Sequence, residues 1–307
     1  MIEQIAYFDA HCDTLHKLSG ANARGDLFEN PYHVDLKRSK LFSKRAQIFA
    51  LFANKGDRKD CFEAMTKLFF RSIAAYPESI SFCKNSAEAE TAILSGKTAA
   101  FLSVEGAELL DCSLERLNEA SEMGIRSVNI TWNYENALSG SNLEGSDKGL
   151  TEYGRRFVRQ CGKLGIAVDV SHISDRGFWD VLDCAEGPVI ASHSNLRSLC
   201  PHPRNLTDEM FTALCDYGGV AGINLYSVFL GDSADLDTVE KHIEKFLALG
   251  GENHLGIGAD FDGMDKMPLG IEGVQDVPKL WDYLKHKGYD KSVLEKLFFQ
   301  NFMRIFN

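Results

Sequence analysis

Short apolar runs recur along this chain, and several end abruptly in histidine, aspartate or glutamate before a stretch of helical spacing begins. The runs fall at residues 5–8, 45–53, 98–104, 127–131, 166–170, 188–191, 218–226 and 254–259. Each has the length and bounding turn residues of a buried strand. Between them the spacing predicts helices over 60–76, 86–94, 113–123, 151–164 and 237–249, after Ser174 and Thr207, and from Pro278 and Asp290 to the end. Thr151, Ser174 and Thr207 stand where N-caps are expected, and Asp237 with Glu240 has the spacing of a capping box. Residues 17–45, polar and basic in their second half, form a long excursion, and the Gly- and Ser-rich stretch 138–149 is a loop. Eight strands, most followed by a helix, predict a single (β/α)8 barrel domain over residues 1–307. A doubly wound open sheet is the fallback, but the Gly-rich first turn of that fold is absent.

Composition narrows the classes of function. The chain has 307 residues, 44% hydrophobic and 25% charged, which is ordinary for a large globular core. Its net charge of -11 argues against a nucleic-acid surface, because phosphate binding needs a basic face and none is evident. The start, MIEQIAYFDAHCD, lacks a basic apolar leader, and no run is long enough to span a bilayer. Eight scattered cysteines without CxxC spacing suit a reduced thiol set, so a cytoplasmic location without membrane attachment is expected. A homodimer is the default for a soluble oligomer.

The polar residues at the run ends carry the chemistry. His11 and Asp13 follow the first run, with Cys12 between them turned the other way by strand alternation. Glu105 follows the third run, and His172 and His193 each close a Ser-His pair on neighbouring strands. Asp260 follows the last run, with Asp262 as its rival by alternation, while His16 reads as a loop or packing histidine. On a barrel, these groups converge at the carboxyl-terminal mouth. Three histidines and two or three carboxylates suit zinc and, less well, manganese or iron. They exceed what one tetrahedral ion needs, so two ions bridged by one carboxylate is the economical arrangement.

Taken together, DAHCD at 9–13, SVEGAE at 103–108, VSH at 170–172, ASHSN at 191–195 with PRN at 203–205, and GADFDG at 258–263 resemble the membrane (renal) dipeptidase family. These zinc peptidases belong to the wider group of amidohydrolase-like barrels. The resemblance implies two Zn2+ ions, with His11 and Asp13 on one, His172 and His193 on the other, and Glu105 bridging. It implies that Arg204 meets the substrate carboxylate and that Asp260 handles the proton. Both roles agree with the residue types, since arginine forks a carboxylate and a buried carboxylate relays protons. Where mammalian members carry a histidine that contacts the substrate oxygen, this chain has Trp132, read as an apolar wall at the rim. Tyr226, closing the run 218–226, is a further candidate for substrate binding.

The expected activity is hydrolysis of a dipeptide, with L or D stereochemistry at its carboxyl-terminal residue, by metal-activated water. The alternatives are a related hydrolase of an N-acyl amino acid or a lactone, and a barrel that keeps its metals but only binds a partner. The intact ligand set with Asp260 and Arg204 argues against the last.

Overall fold

The computed structural model describes residues 4–54, 58–231 and 233–307. Its strands are β1 (Ala6–Asp9), β2 (Lys44–Phe52), β3 (Ile80–Phe82), β4 (Thr98–Glu105), β5 (Ile125–Asn129), β6 (Ala167–Asp169), β7 (Val189–Ala191), β8 (Val220–Ile223) and β9 (Leu255–Ile257). All pair in parallel, and β2 pairs with both β1 and β4, so eight strands close into the predicted (β/α)8 barrel. β3 lies outside that count. It pairs Ile80, Ser81 and Phe82 with the start of β4, along the stretch below the point where β5 begins at Leu102. At three residues it carries too little pattern to be read from sequence.

Local chemistry sets the helix starts. The side chain of Thr151 accepts from the Gly154 amide at 2.9 Å, that of Ser174 from Gly177 at 3.0 Å, and that of Thr207 from Met210 at 3.1 Å. The expected capping box is displaced by two residues: Asp235 caps the helix Leu236–Ala248 and exchanges hydrogen bonds with Thr238. Asp237 instead reaches the exposed Lys287 at 2.9 Å. No helix among the described residues is long and apolar enough to cross a membrane.

Alternation divides each strand between two cores. Phe49 of β2 turns outward, its ring 5.9 Å from Phe69 of the helix Arg58–Ala75. Ala46 and Ile48 share the other face with Phe8, Ala99, Phe101, Ala167, Ile190 and Val220. The end of the chain fills that interior: Phe302 stacks on Phe8 at 5.8 Å and Phe306 on Phe101 at 4.8 Å. Small alanines beside large rings let the interior close, as in packed barrels of this kind.

Candidate metal centre and substrate cleft

Glu105, the last residue of β4, shares a face with Ala99 and Phe101 but stands at the opposite end of the interior. Its two carboxylate oxygens look in different directions. Oε2 lies 3.6 Å from His11 Nε2, while Oε1 lies 2.9 Å from His172 Nε2 and 3.6 Å from His193 Nε2. His11 Nε2 is in turn 3.4 Å from Asp13 Oδ2 and 4.0 Å from Asp260 Oδ1. The structure therefore brings together all five expected ligands and Asp260, every one of them buried.

The tautomers follow from the neighbours. Arginine nitrogens only donate, so the Arg204 guanidinium, 2.9 Å from His172 Nε2, requires a lone pair there. The His172 proton then sits on Nδ1, 3.0 Å from Asn133 Oδ1. The Ser192 hydroxyl donates to Asp169, so it accepts from His193 Nδ1 at 2.7 Å and leaves His193 Nε2 bare as well. Two lone pairs thus face each other at 3.0 Å beside a carboxylate oxygen. Arg204 reaches only the His172 side of this crowding of acceptors, and a cation beside His193 Nε2 would relieve the rest. Buried His11 Nε2 and Asp13 Oδ1 have no hydrogen-bond partner among the described residues.

Electrostatics point the same way. Burial opposes a charge on His11, but Glu105, Asp13 and Asp260 outweigh it and push the imidazole up to about 10. Burial, reinforced by Asp13, holds Glu105 well above the usual carboxylate range against the pull of His11 and Arg204. Burial, with Arg204 and His11 nearby, holds His172 and His193 well below the ordinary histidine value. Packed carboxylates that call for positive charge, beside imidazoles kept neutral, fit divalent cations. Among the described residues two triads, which share His11, have ligand atoms within 4.8 Å of one another: His11, Glu105 and His193, and His11, Asp13 and Asp260.

Two expectations about backbone need correction. β1 ends at Asp9 and β9 at Ile257, so neither the His11–Asp13 pair nor Asp260 lies on a regular strand. His11 and Asp13 still share a side because Cys12 continues as an isolated parallel bridge to Phe261. Asp260 and Asp262 turn through the left-handed region, with φ of 61° and 71°, and do not alternate as strand residues would. Asp262 is engaged elsewhere: it accepts from the Thr14 hydroxyl at 2.5 Å and the His33 amide at 2.9 Å, tying down the 17–45 excursion. Asp260 keeps Oδ2 on Asn224 Nδ2 at 2.9 Å and turns Oδ1 toward His11. Burial raises its carboxyl to about 6, with Asp13 adding to the rise and His11, Asn224 and Arg204 opposing it.

A cleft of roughly 440 Å³ opens over this cluster. Arg204 lies against the Phe229 ring at 5.3 Å, and its buried Nη1 has no hydrogen-bond partner among the described residues. Trp132 stands at the rim as expected, 4.6 Å from the ring of Phe52 and 6.3 Å from that of His172. Tyr226 also lines the cleft, its amide fixed by Asn224 Oδ1 at 2.7 Å. His16, read as a packing residue, does both: it stacks edge-on against Phe52 at 5.0 Å and faces the cleft with Lys17. Sequence reading noted Ser192 only as part of a Ser-His pair and missed Asn133, Asp169 and Asn224; all four hold the site from behind. Of the three missed, only Asp169, a carboxylate inside an apolar run, carried a visible signal.

A parallel barrel whose carboxyl-terminal mouth gathers three imidazoles and three carboxylates is a metal-dependent hydrolase scaffold. The chain belongs to the membrane dipeptidase family (peptidase family M19), whose family model matches residues 1–307. Members are metal-dependent dipeptidases, so this chain is a metallo-dipeptidase. It is 33% identical over 263 residues to a Klebsiella pneumoniae protein from the pqqA 5' region, covering 81% of this chain and 96% of that one. It is 35% identical over 219 residues to an uncharacterised dipeptidase of Schizosaccharomyces pombe, covering 68% of this chain but only 53% of the yeast protein. A Rhodobacter sphaeroides metallopeptidase solved with a phosphinate mimic of L-Ala-D-Ala superposes with a TM-score of 0.90, at 26% identity over 99% of both chains. The M19 metallopeptidase called dipeptidase AC gives 0.89, at 28% identity over 99% of this chain and 98% of that one.

Proposed function

We propose that this metallo-dipeptidase takes dipeptides with a free carboxyl terminus, including those ending in a D-residue, and works with two zinc ions. The observation that carries the two-ion reading is Glu105, whose two oxygens face two separate sets of buried donors. His11 and Asp13 would hold one ion, His172 and His193 the other, with Glu105 between them. When bound, the ions supply Lewis acidity that lowers the pKa of a water and polarises the scissile carbonyl.

The chain's own residues supply the rest. Asp260, its far oxygen fixed by Asn224, takes the proton from the attacking water at Oδ1 and returns it to the leaving amine. Arg204 receives the substrate carboxylate through its unpartnered Nη1, with the guanidinium plane held against Phe229. Trp132 and Phe52 form an apolar wall that excludes water from one side of the cleft. The stereochemical reading is supported by the L-Ala-D-Ala mimic held by the Rhodobacter sphaeroides relative. An N-acyl amino acid would also satisfy Arg204; a lactone would leave it unpaired.

The test is a panel of L,L- and L,D-dipeptides, their carboxyl-terminal amides, N-acyl amino acids and lactones, assayed on zinc-loaded protein. Turnover confined to free dipeptides is expected. Preference for lactones or for amidated dipeptides would overturn the reading, and no turnover at all would favour a binding barrel.

A further inference from the structure

Behind His193 stand two buried residues that the chemistry above does not use. Asp169 is the last residue of β6, and Ser192 follows the last residue of β7. Asp169 Oδ1 accepts the amides of Ser171 at 3.0 Å and Ser192 at 3.1 Å, so it is pinned between the two strands that deliver His172 and His193. Its other oxygen therefore has to face the Ser192 hydroxyl, which donates to it. Ser192 Oγ has spent its one hydrogen on Asp169 and can only accept from the imidazole, 2.7 Å away at Nδ1. All three side chains are no more than 2% exposed, so water does not compete for these bonds.

We infer that Asp169, acting through Ser192, is a positioning residue that fixes the tautomer of His193 and keeps Nε2 bare for a divalent cation. The inference rests on the reading of His193 as a metal ligand. The direction of hydrogen-bond donation is what matters: backbone amides fix Asp169, Asp169 fixes the hydroxyl, and the hydroxyl fixes the ring. Partners behind a metal-bound histidine typically change metal affinity by about 10- to 100-fold.

This arrangement makes an unusual prediction about severity. Asp169→Asn is nearly isosteric and leaves Oδ1 on the two amides, but it puts an NH2 group where Oδ2 stood. That group donates to Ser192 Oγ and turns the hydroxyl hydrogen away. The nearest acceptor is His193 Nδ1; Ser171 Oγ, at 3.4 Å, is at the limit of a hydrogen bond. The ring proton is driven to Nε2, where it blocks the cation. Ser192→Ala merely releases the ring to take either tautomer. Asp169→Asn should thus bind zinc more weakly than Ser192→Ala, by about 10-fold or more, and the double variant should recover toward Ser192→Ala. A residue that only holds two strands together predicts the reverse, because Asn preserves both amide contacts.

The experiment uses the full chain stripped of metal. Zinc affinity is measured by competition with a chelator, and ring nitrogen chemical shifts of His193 in 15N-labelled protein report its tautomer directly. The expected results are Nδ1–H in the wild type and in Ser192→Thr, a mixture in Ser192→Ala, and Nε2–H with weakened zinc in Asp169→Asn. Wild-type zinc affinity in Asp169→Asn, or a double variant no better than it, would overturn the inference. Should Asp169→Asn fail to fold, as judged by melting of the metal-free protein, an unchanged Nδ1–H tautomer in Ser192→Ala would overturn it equally. His193→Ala separates the two levels: full zinc content there refutes His193 as a ligand, whereas lost zinc there with unaffected Asp169→Asn refutes the relay alone.

Discussion

Along β4, Phe101 faces an aromatic stack with Phe8 and Phe306 at one end of the barrel, while Glu105, four residues on and on the same face, stands among three histidines at the other. β6 runs the same course from Ala167 to Asp169, and β7 from Ile190 toward Ser192, just past its last residue. At the aromatic end the interior face is apolar, and the rings of Phe8, Phe101, Phe302 and Phe306 pack on one another. At the other end, His11 Nε2, Asp13 Oδ1 and Arg204 Nη1 are buried without partners among the described residues. The difference teaches where stability and function are kept apart: the interior at one end is closed by apolar packing, and at the other it gathers buried polar atoms that the proposed ions and substrate would partner.

The largest effect should come from depriving the polar end of its proposed cations. Chelation should reduce turnover to background, and zinc, cobalt or manganese should restore it, since the proposed mechanism activates both the water and the carbonyl through metal. Glu105→Gln should fall below each single histidine-to-alanine variant, because its carboxylate faces both donor sets. Two bound metals and wild-type turnover in Glu105→Gln would refute its bridging role. At the aromatic end, Phe302→Ala should cost about 3–5 kcal/mol of stability as a buried aromatic truncation. Turnover per folded molecule should stay at the wild-type level. A loss of kcat in the folded fraction, followed by denaturation and assay in parallel, would show that the two ends are coupled.

This contrast also explains what could be read from the sequence. All eight barrel strands were legible because each is an apolar run closed by polar residues; four run ends supplied the candidate ligands and a fifth supplied Asp260. β3 was not, since three residues give no period. The capping box went to Asp235 and Thr238 because two aspartates two residues apart offered alternatives that only the helix register separates. The rivalry between Asp260 and Asp262 was likewise closed to sequence. Thr14 and His33, which occupy Asp262, come from a distant part of the chain, and the left-handed backbone at both aspartates breaks the alternation that the reading used.

Next in size is Asp260→Asn, which should lower kcat by roughly 10²-fold, about 2.7 kcal/mol, while metal content stays near the wild type. Asp262→Asn is the comparison: it should act on the stability of the excursion more than on kcat. If the two exchanged effects in steady-state kinetics and melting experiments, the proton would belong to Asp262. Arg204→Ala should raise KM for free dipeptides and matter little for carboxyl-blocked ones. Equal losses on both substrate types would remove Arg204 from the carboxylate site.

The smallest effect is expected where the two ends are most alike, at Trp132, an aromatic residue set at the polar mouth. An indole has one donor and no acceptor, so it cannot stand in for an ionisable histidine. Its ring lies 4.6 Å from Phe52 and 5.3 Å from Tyr134, which is the packing of a wall. Trp132→Phe keeps an aromatic face and should hold kcat within a few-fold, under roughly 1 kcal/mol. Trp132→Ala opens the wall and should reorder the preference among dipeptide side chains more than it slows the smallest substrate. A drop of about 10²-fold in kcat for Trp132→Phe, with both metals still bound, would instead identify the indole N–H as a donor to the developing oxyanion. If neither variant changed rate or preference, the cleft would be lined on that side by Phe52 and His16 alone, and the apolar wall would have to be redrawn around them.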